Sequence, residues 1–326
     1  MQGKEASEQE TKAKSSVGID VSKTWLDIHV LPSGETLRVV NDPAGIRRLR
    51  RWLMRFDLAI VVVEATGKWH RAVRRSVHAS GIPVAVVDPF RVRQFAKAQG
   101  TLAKTDRLDA RVLAQFGAVM NPAIRPPAPE ALEELAELVR ARHSAVDAQT
   151  ALKNQLSAAQ GRFLIRQLDR RLAAIARHIA ALEREIKRRI AADDALARRY
   201  AILTSIPSFG FVVAITLIVA LAELGACSAK QISLLAGLAP IADDSGERRG
   251  TRVVWGGRPA VRRLLYLAAL TAARCNADMR VVYRRLTADG KKPKLAIIAV
   301  ARKLAVLANS LIAQDRTWQP QPPKHA

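Results

Sequence analysis

Cysteine is scarce in this 326-residue sequence, and its scarcity excludes two classes of protein. The two cysteines, Cys227 and Cys275, are too few for a disulfide framework or a four-cysteine zinc site. Both lie in apolar stretches, where a free cysteine usually serves as a small core residue. We therefore expect neither a disulfide-stabilised extracellular protein nor a structural zinc ion.

The sequence also lacks an obvious targeting or membrane-spanning segment. Residues 1–16 are polar and contain no apolar stretch of the kind that a signal peptide needs. The longest apolar run, residues 209–222, is followed by Glu223 and is short for a bilayer, which favours a buried helix. These features predict a cytoplasmic protein, associated with the nucleoid if its partner is DNA, that does not enter the membrane.

Acidic residues are few relative to basic ones. There are 29 Asp and Glu against 53 Lys and Arg, which gives a formal net charge of +24. Such an excess repels itself in a compact fold unless a polyanion neutralises part of it, and nucleic acid is the usual polyanion. Charge alone leaves other basic proteins open, such as ribosomal or membrane-surface proteins and proteins encoded by arginine-rich genomes.

The N-terminal part of the chain alternates between strand and helix patterns. After a polar tail at residues 1–15, we predict strands at 17–21, 26–31 and 37–40, a helix from Pro43, and buried strands at 58–64 and 84–87. Further helices are predicted at 68–80 and from the last strand to residue 120. This order of elements predicts an α/β domain with an RNase H-like (RuvC-like) fold over residues 16–120.

The remainder of the chain is predicted to be helical. Residues 121–129 contain four prolines and are interpreted as a linker. Residues 130–199 predict a long antiparallel helical hairpin of the coiled-coil type that turns near Gly161, because apolar residues recur there at steps of three and four. Residues 200–312 predict a compact, mostly helical domain, and residues 313–326 a loose proline-rich tail.

Four acids stand out by their positions. Asp20 lies in the first strand, Glu64 ends the buried fourth strand, and Asp106 and Asp109 open a helix three residues apart, on one helix face. In an RNase H-like topology these positions converge, and clustered carboxylates need divalent cations such as Mg²⁺ to offset their repulsion. Each acid alone is equally compatible with a turn, cap or strand-end role.

The segments around these acids resemble a known family. VGIDVSK, VVVEATG and KTDRLDARVLA are similar to the Asp, Glu, Asp and Asp segments of the Piv/MooV-like transposases of the IS110 family. The resemblance extends over residues 17–310. It implies a DNA transposase or site-specific recombinase in which Asp20, Glu64, Asp106 and Asp109 are catalytic metal ligands that bind one or two Mg²⁺ ions.

A distal segment, LLAGLAPIADDSGERRGTRVVWGGRPAVRRLLY, resembles the second signature of the same family. The resemblance implies that Ser245 is a nucleophile that becomes joined to a DNA 5′ phosphate. Asp243 and Asp244, just before it, depart from the neutral or basic loop that we expect. Upstream, residues 203–214 resemble a helix-hairpin-helix turn, although Ser208 replaces its usual first glycine; an ordinary tight turn is the alternative.

The basic residues near these segments are candidates for contacts with nucleic-acid phosphates. Two groups flank the predicted acidic and serine sites, namely Lys104, Arg107 and Arg111, and Arg248, Arg249, Arg252, Arg258 and Arg262. The resemblance further implies a noncoding guide RNA and a homo-oligomer, from dimer to tetramer, whose active sites combine acids and serine from different subunits. The alternatives are a RuvC-like Holliday-junction resolvase or nuclease that acts by metal-dependent hydrolysis, and a non-catalytic nucleic-acid-binding scaffold.

Overall fold

A computed structural model describes residues 14–100, 106–242, 244, 250 and 252–320; for residues 106–108 it describes the backbone only. The chain divides into two compact units at the junction between Ala128 and Pro129. The first unit combines a sheet with helices and the second is almost entirely helical. This confirms the prediction of an α/β region followed by a helical region.

The first unit is built on a five-stranded sheet with the strand order β3-β2-β1-β4-β5. Strands β1 and β2 and strands β2 and β3 pair antiparallel, whereas β1, β4 and β5 run parallel to one another. The alternating apolar residues of β1 and the continuous apolar run of β4 explain why both strands are buried in the middle. The strands are β1 (Ser15–Val21), β2 (Trp25–Leu31), β3 (Thr36–Val40), β4 (Leu58–Glu64) and β5 (Val84–Val87).

Helices cover both faces of this sheet. One face packs with α1 (Pro43–Leu53) and α2 (His70–His78), and the other packs with α3 (Pro89–Ala98) and α4 (Asp106–Met120). The helical segment predicted from β5 to residue 120 contains two helices, and the second begins at Asp106, where the sequence predicted the start of a helix. Helix α3 ends before Gly100, whose φ of +76° is a conformation that side-chain-bearing residues rarely adopt.

The second unit begins with two long helices, α5 (Glu130–Ala158) and α6 (Arg162–Ala191). Ion pairs Arg142–Glu183 and Arg189–Glu134 connect early residues of α5 to late residues of α6, so the two helices are antiparallel, with the turn at 159–161. Only the base of this hairpin joins the core of the unit, through buried residues of both helices: Leu135, Val139, Ile186 and Ile190. The hairpin is therefore continuous with the helical domain that follows.

Six further helices and a short two-stranded ribbon complete the described part of the second unit. The last helix, α12 (Pro293–Ala313), is apolar and long enough to cross a membrane by length and composition, but half of its apolar stretch is buried, as in a core helix. The elements are α7 (Asp194–Thr204), α8 (Phe211–Ala220), α9 (Ala229–Leu235), β6 (Pro240–Ile241), β7 (Val253–Val254), α10 (Pro259–Cys275), α11 (Ala277–Ala288) and α12 (Pro293–Ala313).

The tail that we expected to be loose is held at residues 315–318. Arg198 pairs with the Asp315 carboxylate at 2.9 Å, and the Trp318 backbone N–H donates to the Ser205 hydroxyl at 2.7 Å. The Trp318 ring packs against the core of the second unit. Burial of a large indole stabilises the folded chain even in a proline-rich segment, which composition alone did not reveal.

Residues 121–129, which we interpreted as a linker, contain neither helix nor strand.

Candidate functional site

The strand register places Asp20 and Glu64 side by side. Strands β1 and β4 are parallel, and their last paired residues are Ile19 and Val63. Asp20 and Glu64 are the next residue on each strand. Because neighbouring residues of adjacent parallel strands point to the same face and lie about 4.8 Å apart, the two carboxylates share one edge and one face of the sheet.

Helix α4 crosses that face with its N-terminus toward the two acids. The Ser16 hydroxyl donates to the Ala114 carbonyl at 2.8 Å, and Gly18 lies against Ala110 and Ala114. Two residues along a strand advance about as far as one turn of a helix. Asp20, two residues beyond Gly18, is therefore level with the first turn of α4, which carries Asp106 and Asp109.

Two glycines allow this close approach. A Cβ atom added to Gly18 would lie 2.0 Å from the Ala110 carbonyl oxygen and 2.4 Å from the Ala114 nitrogen. On the helix, a Cβ atom added to Gly117 would lie 2.6 Å from the Ser16 hydroxyl oxygen. Strand and helix backbones thus touch directly, which fixes the height of the first turn of α4 above the sheet.

A further acid that sequence reasoning missed, Asp27, lies in the same row. Asp27 pairs with Asp20 across β1 and β2, and Arg38 pairs with Asp27 across β2 and β3. Asp27 is 6% exposed, and its carboxylate lies 3.5 Å from the Arg38 guanidinium. The signal was available in the sequence, because Leu26, Ile28 and Val30 alternate with it as the opposite, buried face of the strand.

The donor set fits a divalent cation chemically. Carboxylate oxygens at the ends of β1 and β4 are the hard ligands that Mg²⁺ and similar ions prefer. Among the side chains that the structure describes, no three acidic, histidine or cysteine groups converge closely enough to hold a metal. The described side chains of Asp20, Glu64 and Asp109 therefore do not form such a group of three, and the Asp106 side chain lies outside the described residues.

The basic residues predicted beside these acids are described only in part. Lys104 and the Arg107 side chain lie outside the described residues. Arg111 is exposed on α4, near His29 of β2. Burial, and after it the positive charge of Arg111, lower the pKa of His29. Arg111 is thus on the helix that approaches the acidic row.

The second candidate site is the loop between β6 and β7. Ser245, Arg248 and Arg249 lie outside the described residues, but both ends of their loop are described. Strands β6 and β7 pair antiparallel, so the loop starts and finishes at one place. The described residues at the two ends of the loop therefore lie close together.

Asp244 reinforces the base of this loop. Its carboxylate accepts a hydrogen bond from the Gly250 backbone N–H at 3.1 Å and pairs with Arg252 at 2.8 Å. The acidic residue that seemed out of place in the sequence thus links the two arms of the loop. The pairing engages one terminal nitrogen, Nη1, of Arg252, a predicted phosphate contact.

Arg258 and Arg262 have partners within the second unit. Arg258 makes two hydrogen bonds of 2.7 Å to the Glu223 carboxylate. Arg262 donates to the backbone carbonyls of Gly237 and Gly256. These contacts hold the turn between the loop and α10 against the neighbouring helices, so both arginines have a structural role. Contact with nucleic acid remains a prediction for them.

The turn between α7 and α8 has an unusual backbone conformation at Ser208. Ser208 has a φ of +90°, the conformation that a glycine adopts without strain. Its hydroxyl is buried and makes no hydrogen bond to the described residues. The buried Asn276 steadies the turn by donating to the Pro207 carbonyl at 3.5 Å.

Replacing Ser208 with glycine should stabilise the protein. The substitution relieves the strain at positive φ and removes a buried hydroxyl without a partner, at a small cost in chain entropy, for a net gain of about 1–2 kcal/mol. Denaturant unfolding of wild type, Ser208→Gly and Ser208→Ala would measure it. Ser208→Ala, which removes only the hydroxyl, should gain less than Ser208→Gly; a loss of stability in Ser208→Gly would contradict this account of the turn.

Comparison with protein families finds two transposase regions in this chain. Residues 17–160 match a model described as transposase, of the DEDD type found in IS110 elements. Residues 200–284 match a model described as transposase of the IS116/IS110/IS902 family. The four predicted acids lie in the first match and Ser245 lies in the second.

Several relatives are similar over part or most of the chain. The pilin gene-inverting protein of Moraxella bovis is 26% identical over 317 residues, which cover 94% of this chain and 98% of the relative. Its counterpart in Moraxella lacunata is 25% identical over the same shares of both chains. A 42 kDa protein of the insertion element IS900 from Mycobacterium paratuberculosis is 30% identical over 46% of this chain and 39% of its own length.

Proposed function

Because the chain belongs to the IS110-like transposases and recombinases, we propose that it cuts and rejoins DNA with two sets of groups. The first set is the acidic site, formed by Asp20, Glu64, Asp106 and Asp109; the second is the Ser245 hydroxyl. The observation that carries the proposal is the placement of Asp20 and Glu64 on adjacent parallel strands beneath the N-terminus of α4. Because enzymes of this family cut DNA, we interpret the two acids as part of the cleavage site.

The first unit is proposed to be an RNase H-like domain. Its strand order β3-β2-β1-β4-β5, with the first three strands antiparallel, supports this assignment. In this arrangement the acid of the central strand and the acid at the end of its parallel neighbour face the same helix. That arrangement brings together residues that are distant in the sequence.

The acidic site is proposed to bind Mg²⁺. The DEDD-type domain indicates the use of divalent metal ions, and an all-carboxylate donor set favours Mg²⁺ over softer metals. Bound ions would neutralise phosphate charge and stabilise the attacking and leaving oxygens of phosphoryl transfer. Asp20 and Glu64 would hold them from the sheet, and Asp106 and Asp109 from the first turn of α4.

Ser245 is proposed to supply the nucleophile. Its Oγ attacks the phosphorus of a DNA phosphodiester, the Oγ–P bond forms, and the P–O3′ bond breaks. The hydroxyl proton passes to a carboxylate of the acidic site, and the departing 3′ oxygen takes up a proton. A serine hydroxyl needs such activation, because it is a weak nucleophile at neutral pH. The pairing of β6 with β7 and the contacts of Asp244 hold together the two ends of the loop that carries this serine.

Nucleic acids are the proposed partners. The net charge of +24 supports binding to DNA and to a structured guide RNA, whose pairing with DNA would select the sequence. Phosphate contacts are proposed for Lys104, Arg107, Arg111, Arg248, Arg249 and Arg252. We also propose a homo-oligomer that combines acids and serine from different subunits. The gene-inverting activity in the names of two relatives makes DNA inversion a reaction to test beside transposition.

The proposal is tested by trapping a covalent protein–DNA adduct. Wild type, Ser245→Ala and Asp20→Ala are each incubated with Mg²⁺, DNA carrying the ends of the element, and RNA from its flanking region. We expect an adduct in wild type only, seen as a DNA-labelled band that survives denaturation. Strand cleavage that persists in Ser245→Ala without any adduct would instead indicate a nuclease that uses water as its nucleophile.

A further inference from the structure

Two lysines share one tryptophan ring at the carboxyl ends of β1 and β4. The ring packs against the core on the α1 and α2 face of the sheet. The Lys23 ammonium lies 6.0 Å, and the Lys68 ammonium 4.9 Å, from the centre of the Trp69 ring. Lys23 follows Asp20 by three residues, in the turn after β1, and Lys68 follows Glu64 by four residues, in the turn after β4. The Trp69 platform, formed by Lys23, Lys68 and Trp69, thus lies at the strand ends that carry the two acids.

The backbone around the platform is fixed. In the first turn, the Ser22 hydroxyl accepts from the Trp25 backbone N–H at 2.8 Å. The Asn41 side-chain amide then joins the two turns, since it donates to the carbonyl of Ser22 at 2.8 Å and to that of Trp69 at 3.4 Å. The two lysines therefore start from positions that are set relative to each other and to the acids.

The arrangement has the chemistry of a phosphate site. An indole face attracts an ammonium ion by about 0.5–1 kcal/mol at an exposed position, which restrains two side chains that would otherwise be mobile. Two ammonium groups near one ring repel each other, and an anion bound between them offsets this repulsion because it attracts both. An acidic site in turn repels an approaching phosphate, so fixed cations at its edge favour entry of the substrate.

We propose that the Trp69 platform binds phosphates of the DNA strand that enters the acidic site. This inference rests on the proposed function, because it takes DNA as the substrate. DNA fits the location, since ligands of sheets with parallel strands bind beyond the carboxyl ends of those strands. The platform would position the backbone of the strand, and it reads no bases.

The first test is the salt dependence of binding to a duplex DNA of about two helical turns, measured by fluorescence anisotropy. In the double variant Lys23→Gln/Lys68→Gln, we expect the slope of log affinity against log salt to fall by about two, since each phosphate contact contributes about 0.9. The matched control is Lys14→Gln/Lys97→Gln, which removes two exposed lysines from the start of β1 and the end of α3. Its slope should stay at the wild-type value.

The second test needs no variant and therefore does not depend on folding of the mutant chains. Lysine acetylation of wild type, with and without the DNA, is read out by mass spectrometry. DNA should slow acetylation of Lys23 and Lys68 several-fold relative to Lys14 and Lys97. An unchanged slope together with unprotected platform lysines would overturn the inference, and protection by an RNA duplex but not by DNA would assign the platform to RNA. Absence of any DNA binding by wild type would instead refute the proposed function.

Discussion

Glu64→Gln should reduce DNA strand cleavage by at least about a thousand-fold while leaving DNA binding intact or slightly tighter. The substitution keeps the shape of the side chain and removes the negative charge at the end of β4, beside Asp20. A carboxamide is a poor ligand for Mg²⁺ and cannot accept a proton at neutral pH, so the rate of strand cleavage falls. The affinity for DNA rises because a negative charge that repels the DNA phosphates is removed. Cleavage of labelled element-end DNA in Mg²⁺ and anisotropy in Ca²⁺ would measure the two effects separately.

The matched control is Glu35→Gln in the same unit. Glu35 pairs with Arg55 at 4.0 Å, and it lies in the turn between β2 and β3, outside the acidic row. We expect cleavage by Glu35→Gln within about twofold of wild type, since an exposed ion pair contributes less than about 1 kcal/mol to stability. Equal loss in both variants would mean that the effect comes from folding, and no loss in Glu64→Gln would remove Glu64 from the site.

Much of the first unit could be predicted because its strands have strong patterns. Strands were predicted at 58–64 and 84–87, and the structure has β4 and β5 at those residues. The helix that begins at Asp106 was predicted, but the end of α3 before Gly100 was not located. Periodicity records which side of a helix is apolar, and it gives little warning where one left-handed residue, Gly100, ends the helix.

The acids of the candidate site were found by position, whereas Asp27 and the platform were not. Asp27 is a neighbour of Asp20 only through the antiparallel register, and register is a property of the folded sheet. Lys23 and Trp69 are 46 residues apart in the sequence and meet because β1 and β4 are adjacent. Such contacts follow from topology, which the order of elements suggests but the sequence does not fix residue by residue.

For the arginines after the serine loop, the sequence did not show their contacts within the fold. A run of basic residues near a predicted nucleophile favours phosphate contacts, and sequence reasoning assigned Arg258 and Arg262 that role. Both are engaged within the second unit, by Glu223 and by backbone carbonyls, and their contact with nucleic acid stays a prediction. An arginine that serves the fold and one that serves a ligand look alike in a sequence, because the partner that distinguishes them is distant along the chain.

The contact between β1 and α4 leads to the second large effect, a loss of both stability and cleavage in Gly18→Ala. The new methyl group would meet the Ala110 carbonyl oxygen at 2.0 Å and the Ala114 nitrogen at 2.4 Å. These are backbone atoms of a helix, so the only relief is to move α4 away from the sheet. We expect the free energy of unfolding to fall by about 3 kcal/mol, at the upper end of overpacking costs.

Movement of α4 would also carry Asp106 and Asp109 away from Asp20 and Glu64. A displacement of about 1 Å at a catalytic group can cost about a hundred-fold in rate, so cleavage should fall by at least that factor in protein that is still folded. Gly117→Ala should cost less, since its Cβ would meet side-chain atoms at 2.6–3.2 Å and not backbone atoms at 2.0–2.4 Å. Gly161→Ala, with open space around it, should change stability by under about 1 kcal/mol. Denaturant unfolding and single-turnover cleavage of the three variants would test this order. Wild-type cleavage by Gly18→Ala would show that the height of α4 above the sheet does not set the geometry of the acidic site.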